Sequence, residues 1–337
     1  MPKKTVEILL WHHRTKRTLS RKGKKYNPNK EKKIRVLGYE YLLMPKKIDL
    51  YSESNYQATT DFVNKMLFRA CSTAIMLDFE QTEHITAAAL LYLYARIDHC
   101  LSENPKARIR IKADSLSGII KETVMKSGLF ARTLNRTDQV EDNGNSRIVK
   151  GTAEGEEFEE VIDHIVKHIY KVEGTEAERQ VGAAVSESVG NVKLHAYPRE
   201  QDNTAPFKPW WILYSVIDGV LYLAIYDIGV GIPETIHSRN WIRDIVDKTP
   251  DLLRKLSSSR DVDHISVAME AGKTQTKEKK HGKGSKSIRA LVDATPNGML
   301  RVFSNKGLYQ IGVDAEPELI EHGISVGGTL IQWNIKI

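Results

Sequence analysis

The order of elements predicted for the second half of the chain constrains its fold more than any other feature of the sequence. Two helical segments come first, and segments with the alternating pattern of β-strands follow. The helices are predicted at residues 157–170 and 176–195, and the strands at 211–218, 220–227, 299–304, 307–314 and 329–335. Helices followed by hairpin-connected strands predict a two-layer α/β sandwich, in which helices cover one face of a mixed sheet.

The first half of the chain alternates between strands and helices, which predicts a smaller α/β domain over residues 34–136. Its strands are predicted at 34–43, 74–79 and 107–111, and its helices at 56–70, 85–100 and 115–125. Residues 137–156 are rich in polar and turn-forming residues. We therefore predict a linker there, followed by a second domain at 157–337.

The positive charge of the chain is concentrated in an N-terminal arm, residues 1–33. This arm has twelve Lys and Arg residues against two Glu residues, a net charge of +10, whereas the whole chain has +7. The remainder is therefore slightly acidic. A basic arm of this kind either contacts nucleic-acid phosphates or forms a solvated, partner-binding extension, and the sequence leaves both interpretations open.

The apolar segments of the sequence, such as residues 87–95, are too short to cross a bilayer. The N-terminus lacks the pattern of a secretory signal, because basic rather than small residues follow its short apolar run. The two cysteines, Cys71 and Cys100, form neither a disulfide framework nor a CxxC pair. We therefore expect a cytoplasmic protein that does not associate with membranes.

Three polar residues recur every four positions in the helix predicted at 176–195: Glu187, Asn191 and His195. This spacing places their side chains on one face of the helix. A polar stripe is commonly the solvated side of a helix. Here the remaining positions are small and apolar, which favours a stripe that faces a cleft.

A glycine-rich turn follows the strand predicted at 220–227, in the pattern Asp227-x-Gly229-x-Gly231-Ile232. Glycine allows a sharp turn and a close approach of the backbone to a ligand. Asp227, at the strand end, is placed to accept a hydrogen bond from a donor such as an exocyclic amine.

Two further glycine-rich segments occur nearer the C-terminus. Residues 281–285 lead into a helical run, and a turn of this kind offers backbone N–H groups to phosphate. The second segment, Gly327-Gly328-Thr329, opens the last predicted strand.

Together these four segments resemble the GHKL superfamily of ATPases and kinases (gyrase, Hsp90, histidine kinases and MutL) over about residues 157–337. The helical stripe is similar to the N box of that superfamily. The sequence of this motif, Glu-Ser-Val-x-Asn-Val-x-x-His-Ala-Tyr, is most similar to that of the anti-sigma-factor serine kinases. The resemblance implies a Bergerat-type fold that binds ATP and Mg²⁺.

The resemblance also implies a role for each residue. Asn191 would ligate Mg²⁺ through its amide oxygen, and Glu187 would orient and deprotonate an attacking water or hydroxyl. Asp227 would accept a hydrogen bond from the adenine amino group, with Thr329 sharing a water. The other nucleotide contacts implied are Gly229, Gly231, Ile232, Gly282, Lys283, Gly284 and Ser285. Lys193 and His195 are further candidates on the helix, although a histidine at a helix end is commonly structural.

The second half departs from the superfamily pattern in two places. A long insert, residues 234–280, separates the second and third glycine segments, so we expect an unusually long ATP lid at about 233–284. Such a lid would be mobile and would order on nucleotide binding. Ser285 stands where the superfamily often has leucine.

The first domain resembles a STAS domain, the fold of the anti-sigma-factor antagonists. The resemblance is carried by Leu77-Asp78-Phe79, by the segment 85–90 and by residues 127–130. Where those antagonists carry a phosphorylatable serine, this chain has Ala87, Ala88 and Ala89. We therefore expect a docking or regulatory module that lacks a phosphorylation switch.

The leading hypothesis is an ATPase in which nucleotide binding drives a conformational switch that the STAS-like domain or a protein partner senses. One alternative is a protein serine/threonine kinase that acts on a separate STAS-type protein. Another is a nucleic-acid-associated ATPase that uses the basic arm. Members of the superfamily are commonly dimeric, so a homodimer is a further expectation.

Overall fold

The computed structural model describes residues 35–36, 38–135, 146–170, 176–198, 208–238, 249–274 and 284–337. Within these ranges the chain is a mixed α/β protein with parallel and antiparallel sheets. The basic arm at 1–33 lies outside the described residues. No helix in the described ranges has both the length and the apolar character needed to cross a membrane.

The first half of the chain forms a small sheet with helices around it. Its elements are β1 (Arg35–Val36), β2 (Tyr39–Leu43), β3 (Lys47–Ile48), α1 (Glu53–Ala70), β4 (Ala74–Asp78), β5 (His84–Ile85), α2 (Ala87–Glu103), β6 (Ile109–Ile111), α3 (Gly118–Lys126) and α4 (Leu129–Thr133). The four-stranded sheet has the order β1-β2-β4-β6, in which β2, β4 and β6 are parallel. Gly38, with a φ of +83°, divides the single strand predicted at 34–43 into the antiparallel pair β1 and β2.

The second half forms a seven-stranded antiparallel sheet. Its elements are β7 (Ser146–Thr152), α5 (Glu157–His164), α6 (Glu176–Asn191), β8 (Pro209–Ile217), β9 (Val220–Asp227), α7 (Ile232–Thr235), α8 (Pro250–Leu256), α9 (Asp261–Thr274), α10 (Gly284–Asp293), β10 (Met299–Ser304), β11 (Gly307–Gly312), β12 (Glu318–Glu321) and β13 (Thr329–Lys336). The strand order is β12-β11-β10-β13-β9-β8-β7. Helices α5 and α6 continue as π-helical turns at Ile165–Tyr170 and Val192–Ala196.

Both faces of the seven-stranded sheet are apolar. Successive side chains of a strand point to opposite sides of a sheet, and here both sets are buried. On β9, Leu223 and Ile225 belong to a core that includes residues of α6 and α10. The intervening Ala224 and Tyr226 belong to a second core, which they share with the first half of the chain. The prediction of a two-layer sandwich was therefore incomplete, since the second face of the sheet is covered as well.

Helix α2 of the first half covers this second face, where it contacts β8, β9 and β13. All of its residues from 88 to 95 are buried. A helix that is apolar on every side is one that is buried on every side, which explains the unbroken apolar segment in the sequence. The first half and the seven-stranded sheet consequently share one continuous core.

The predicted linker at 137–156 was wrong in its second half. Residues 146–152 are β7, an edge strand that pairs with β8 along its whole length. A side chain at Gly151 would collide with the ring of Trp210, whose Nε1 donates a hydrogen bond to Thr152 O at 2.9 Å. Glycine here serves the close packing of the tryptophan rather than a turn. Residues 136–145 lie outside the described part of the chain.

The prediction of a mobile lid over all of residues 233–284 was wrong for helix α9, which is packed into the fold. Helix α9 buries Val262 and Ile265 completely, and Ile265 belongs to the core beneath the sheet. The carboxylate of Glu321 accepts a hydrogen bond from the backbone N–H of Val262 at 2.9 Å, which fixes the first turn of α9. Residues 239–248 and 275–283 lie outside the described residues.

Asp98 of α2 connects the two halves of the chain electrostatically. Its side chain is buried, with Lys150 Nζ at 2.7 Å from Oδ2 and Arg132 Nε donating to Oδ1. Trp211 Nε1 donates to Oδ2 at 3.1 Å. Burial alone would raise the pKa of Asp98, but hydrogen bonds and charges from Lys150 and Arg132 hold it below its ordinary value. Asp98 is therefore ionised, and it bridges α4 of the first half to β7 and β8 of the second.

Replacing Asp98 with alanine should lower the free energy of unfolding by about 3–5 kcal/mol, because two cationic groups and an indole N–H lose their shared partner. Since the pKa of folded Asp98 is lowered, its contribution is present at neutral pH and lost as the pH falls through that pKa. Urea unfolding at neutral and acidic pH measures both effects. Asp163→Ala, which removes an exposed carboxylate from an i,i+4 ion pair, is the control and should cost less than about 0.5 kcal/mol. Equal losses in the two variants would contradict the bridging role.

Candidate functional site

Helix α6 has one face buried under the sheet and one polar face. Val181, Ala184, Val185 and Val189 are buried in the core. Glu187 and Asn191 are half-buried, and Asn191 Nδ2 donates a hydrogen bond to Glu187 Oε1 at 3.2 Å. The spacing of four residues thus gives a paired carboxylate and amide on the helix, as the sequence pattern predicted.

The C-terminal end of α6 docks on the glycine turn that follows β9. Ala196, the last residue of the π-helical turn, accepts a hydrogen bond from Val230 N at 2.8 Å. A side chain at Gly229 would collide with the carbonyl of Ala196, so this contact requires glycine. The hydroxyl of Tyr197 accepts a further hydrogen bond from Ile228 N at 3.2 Å. The absence of a side chain at Gly229 therefore allows the end of α6 to approach the turn, a contact that the sequence did not reveal.

This contact brings the polar face of α6 and the end of β9 to the same side of the sheet. Asn191 precedes Ala196 by five residues, roughly 7 Å of helix. By alternation, Asp227 points to the same side of the sheet as Ile225, which packs in the core that contains α6. Asn191 and Asp227, which were predicted from separate sequence segments, thus lie on the same side of the sheet.

Asp227 is a buried carboxylate at the end of β9, 7% exposed. Burial raises its pKa to about 7, and hydrogen bonds from the backbone N–H groups of Gly229 and Thr329 oppose the rise. The Gly229 N–H lies 2.8 Å from Oδ1. Thr329 is also the β13 residue paired directly with Asp227 across the two strands. This carboxyl group is therefore protonated more readily than an ordinary aspartate.

The turn before β13 lies against the backbone of Asp227. Gly328 has a φ of +112°, and a side chain there would collide with the carbonyl of Asp227 and lie 2.9 Å from Ile228 Cα. Ser304, fully buried at the end of β10, accepts a hydrogen bond from Ile232 N at 2.9 Å. Its Oγ lies 3.0 Å from Thr329 Oγ1. Gly328 and Thr329 are thus part of the support of Asp227.

The sequence did not indicate Ser304 and Asn305. These two residues lie at and just after the end of β10, and their side chains organise the glycine turn that follows β9. Asn305 Nδ2 donates a hydrogen bond to Val230 O at 3.0 Å, and a side chain at Gly231 would lie 2.8 Å from that nitrogen. The available signal was a serine and an asparagine at the end of the apolar strand β10, followed by Lys306 and Gly307. Polar residues at a strand end are placed to hydrogen-bond the neighbouring turn.

The remaining predicted site residues have different surroundings. Ile232 begins helix α7. Lys193 is exposed and forms an ion pair with Glu154 at 2.6 Å, on the surface of the second half. His195 is half-buried in the π-helical turn.

The predicted phosphate-side segment lies partly outside the described residues. Gly282 and Lys283 fall in that part of the chain. Gly284 and Ser285 begin α10, which packs along α6. The helix that follows the glycine-rich segment is therefore next to the helix that carries Glu187 and Asn191.

Comparison of the chain with protein-family models gives no match, and a search of curated proteins gives none either.

Gly328→Ala should lower the free energy of unfolding by about 3 kcal/mol or more, since the new side chain adds a collision with Asp227 to a strained backbone conformation. Gly219→Ala is the matched control, because Gly219 also has a positive φ, of +72°, but has open space around it. That variant should lose only about 1 kcal/mol. Thermal unfolding measures both, and similar losses would show that the turn at Gly328 has room to move.

Asp227→Asn should stabilise the protein at pH 8 by about 4 kcal/mol and should give no advantage near pH 4. The pKa of folded Asp227, about 7, lies above its unfolded value. The stability that the neutral carboxyl contributes is therefore complete in acid and is lost as the pH rises through 7. The amide oxygen can still accept the Gly229 N–H. Urea unfolding of wild type and variant at both pH values measures the effect, and a difference independent of pH would refute it.

Proposed function

We propose that this chain binds ATP with Mg²⁺ between α6 and the end of β9, and that it hydrolyses the nucleotide. The observation that carries the proposal is the contact of Ala196 with Gly229 and Val230. This contact holds the polar face of α6 and the carboxylate of Asp227 on one side of one sheet. The helices of the second half that share a core with its antiparallel sheet also agree with the resemblance to the GHKL superfamily, and a Bergerat-type fold is part of the proposal.

The residues at the site fit the groups that they would hold. Ionised Asp227 is an acceptor, the partner that an exocyclic adenine amine requires. Asn191 donates its amide N–H to Glu187, so its amide oxygen is the atom that can ligate a metal. Within the described residues no three His, Cys, Asp or Glu side chains cluster as a metal site. Magnesium commonly takes only one or two protein oxygens and completes its octahedron with phosphates and water.

When bound, ATP supplies the phosphoryl group, and Mg²⁺ neutralises the charge that develops on it. The protein's contribution is positioning. Glu187, held by its hydrogen bond to Asn191, would orient a water and accept its proton. Asp227 would hold the base end of the nucleotide.

The first half of the chain is part of the proposal as a STAS-like docking or regulatory module. Its three parallel strands, β2, β4 and β6, with helices around them, support that comparison. Ala88 and Ala89 are completely buried at the start of α2, and Thr86 Oγ1 is buried as well. A kinase has no access to a hydroxyl in such surroundings, which supports a module without a phosphorylation switch. Nucleotide-dependent changes in the second half would reach this module through the shared core.

Protein serine/threonine kinase activity is the second candidate, because the sequence of the N-box motif is most similar to that of anti-sigma-factor kinases. The same residues would then position a substrate hydroxyl in place of water. Incubation with γ-labelled ATP separates the two, since an ATPase releases labelled phosphate and a kinase labels a STAS-type protein.

Glu187→Ala should retain Mg²⁺-dependent nucleotide binding and lose hydrolysis by about 100-fold or more, because the proton acceptor is gone. Asn191→Ala should weaken Mg²⁺-dependent binding by about tenfold or more, because the metal loses its protein ligand. Calorimetry with Mg-ADP and release of labelled phosphate from ATP measure the two effects. Ser186→Ala, an exposed position on the same helix, is the control and should match wild type. Undiminished turnover in the Glu187 variant, or unchanged affinity in the Asn191 variant, would overturn the assigned roles.

A further inference from the structure

The turn formed by residues 325–328 lies between the first half of the chain and Asp227. On one side, Gly328 is in contact with the carbonyl of Asp227. The turn is tied to the end of β10 by two backbone hydrogen bonds, Asn305 N to Gly328 O at 3.1 Å and Val326 N to Asn305 O at 2.9 Å. Any movement of this turn therefore changes the surroundings of Asp227.

On its other side, the turn contacts Arg96 of helix α2. Arg96 Nη1 lies 3.1 Å from the point that a Cβ on Gly327 would occupy, so the guanidinium rests against the backbone of the turn. Its Nε is buried and has no hydrogen-bond partner among the described residues. A buried N–H without a partner costs stability, which points to a reason for the position of the half-buried Arg96 other than folding.

Tyr226 connects Arg96 to the same turn. Its hydroxyl lies 2.8 Å from Val326 O and 2.7 Å from Gly327 O, and it donates to this pair of carbonyls. The Arg96 guanidinium interacts with the Tyr226 hydroxyl. Tyr226 directly precedes Asp227 and points to the opposite face of the sheet. The arginine of the first half thus contacts both the turn and the strand end that support the Asp227 carboxyl.

We propose that Arg96 is a positioning residue for Asp227, through which the first half of the chain sets the affinity of the site for adenine nucleotides. The proposal rests on the function proposed above for Asp227. Arg96 touches neither nucleotide nor metal. It contacts Gly327 and interacts with the Tyr226 hydroxyl. These contacts keep Gly328 and the Thr329 N–H next to Asp227.

Any coupling between α2 and the site is reciprocal by thermodynamic linkage. If docking of α2 improves the binding of nucleotide, binding of nucleotide must strengthen the docking of α2 by the same factor. The first half would then sense nucleotide through one arginine rather than through the movement of a distant lid.

The test compares Arg96→Met with Arg301→Met. Arg301 is an arginine at the same interface between the two halves, with its guanidinium 4.3 Å from the ring centroid of Tyr51, but it lies three residues along the sheet from the level of Thr329. Mg-ADP affinity is measured by calorimetry. The Asp227 carboxyl is titrated in the nucleotide-free protein by ¹³C NMR of labelled aspartate, with the signal assigned through Asp227→Asn.

We expect Arg96→Met to weaken Mg-ADP binding about tenfold and Arg301→Met less than about twofold. The Asp227 midpoint should fall from about 7 in wild type towards its ordinary value in Arg96→Met only, because a loosened turn admits water. Arg96→Lys, which keeps a cationic donor for Tyr226, should recover most of both changes. If Arg96→Met does not fold, Arg96→Gln replaces it under the same criteria.

Equal affinities and equal Asp227 midpoints in the Arg96 and Arg301 variants would overturn the positioning role and leave the proposed function intact. If wild type does not bind Mg-ADP, the proposed function fails. The nucleotide-free titration still decides on Arg96 in that case, since an unchanged midpoint in Arg96→Met would exclude its action on Asp227.

Discussion

Strand β9 is covered on both faces, and this double burial governs the geometry of the whole molecule. One set of its side chains packs beneath α6 and α10, and the alternate set packs against α2. Neighbouring residues at its end therefore have opposite surroundings, since Tyr226 faces the first half of the chain and Asp227 faces the helical layer. A strand in this position cannot shift or slip without disturbing two cores. The end of such a strand is consequently a rigid place for a ligand-recognising side chain.

Two buried carboxylates in the structure have opposite electrostatic characters. Asp98 is surrounded by Lys150 and Arg132, so its charge is neutralised and its ionised form stabilises the fold. Asp227 has backbone N–H groups as partners, and burial raises its pKa. Its ionised form therefore opposes folding near neutral pH. Titratable groups held in such an unfavourable state are concentrated at functional sites, because a ligand can supply the interactions that the fold does not.

Much of the fold could be predicted from periodicity, and the errors have physical causes. The bounds of β9 and β10 agree with the structure because apolar alternation ends sharply at Asp227 and Ser304. Strand β7 was missed because its pairing depends on backbone groups and on a glycine that accommodates Trp210. Helix α9 was missed because its segment was interpreted as part of a mobile lid, whereas its burial depends on distant strands.

The candidate site could be predicted only in part. The spacing of Glu187 and Asn191 was visible in the sequence because a helix repeats every few residues. The contact of Ala196 with Gly229 was not, because it joins segments separated by more than thirty positions and involves backbone atoms. Long-range contacts leave little trace in a single sequence, whether the main chain makes them or, as with Arg96 and Ser304, a side chain does.

The covering of the sheet by α2 has a consequence for the autonomy of the two halves. A fragment that began at residue 146 would expose a contiguous apolar surface to water, formed by Trp211, Leu213, Ala224, Tyr226, Phe303 and Leu330. Exposed patches of that kind promote aggregation. The two halves are therefore inseparable in folding, and a gene encoding either half alone would have to evolve a new surface before it yielded a soluble product.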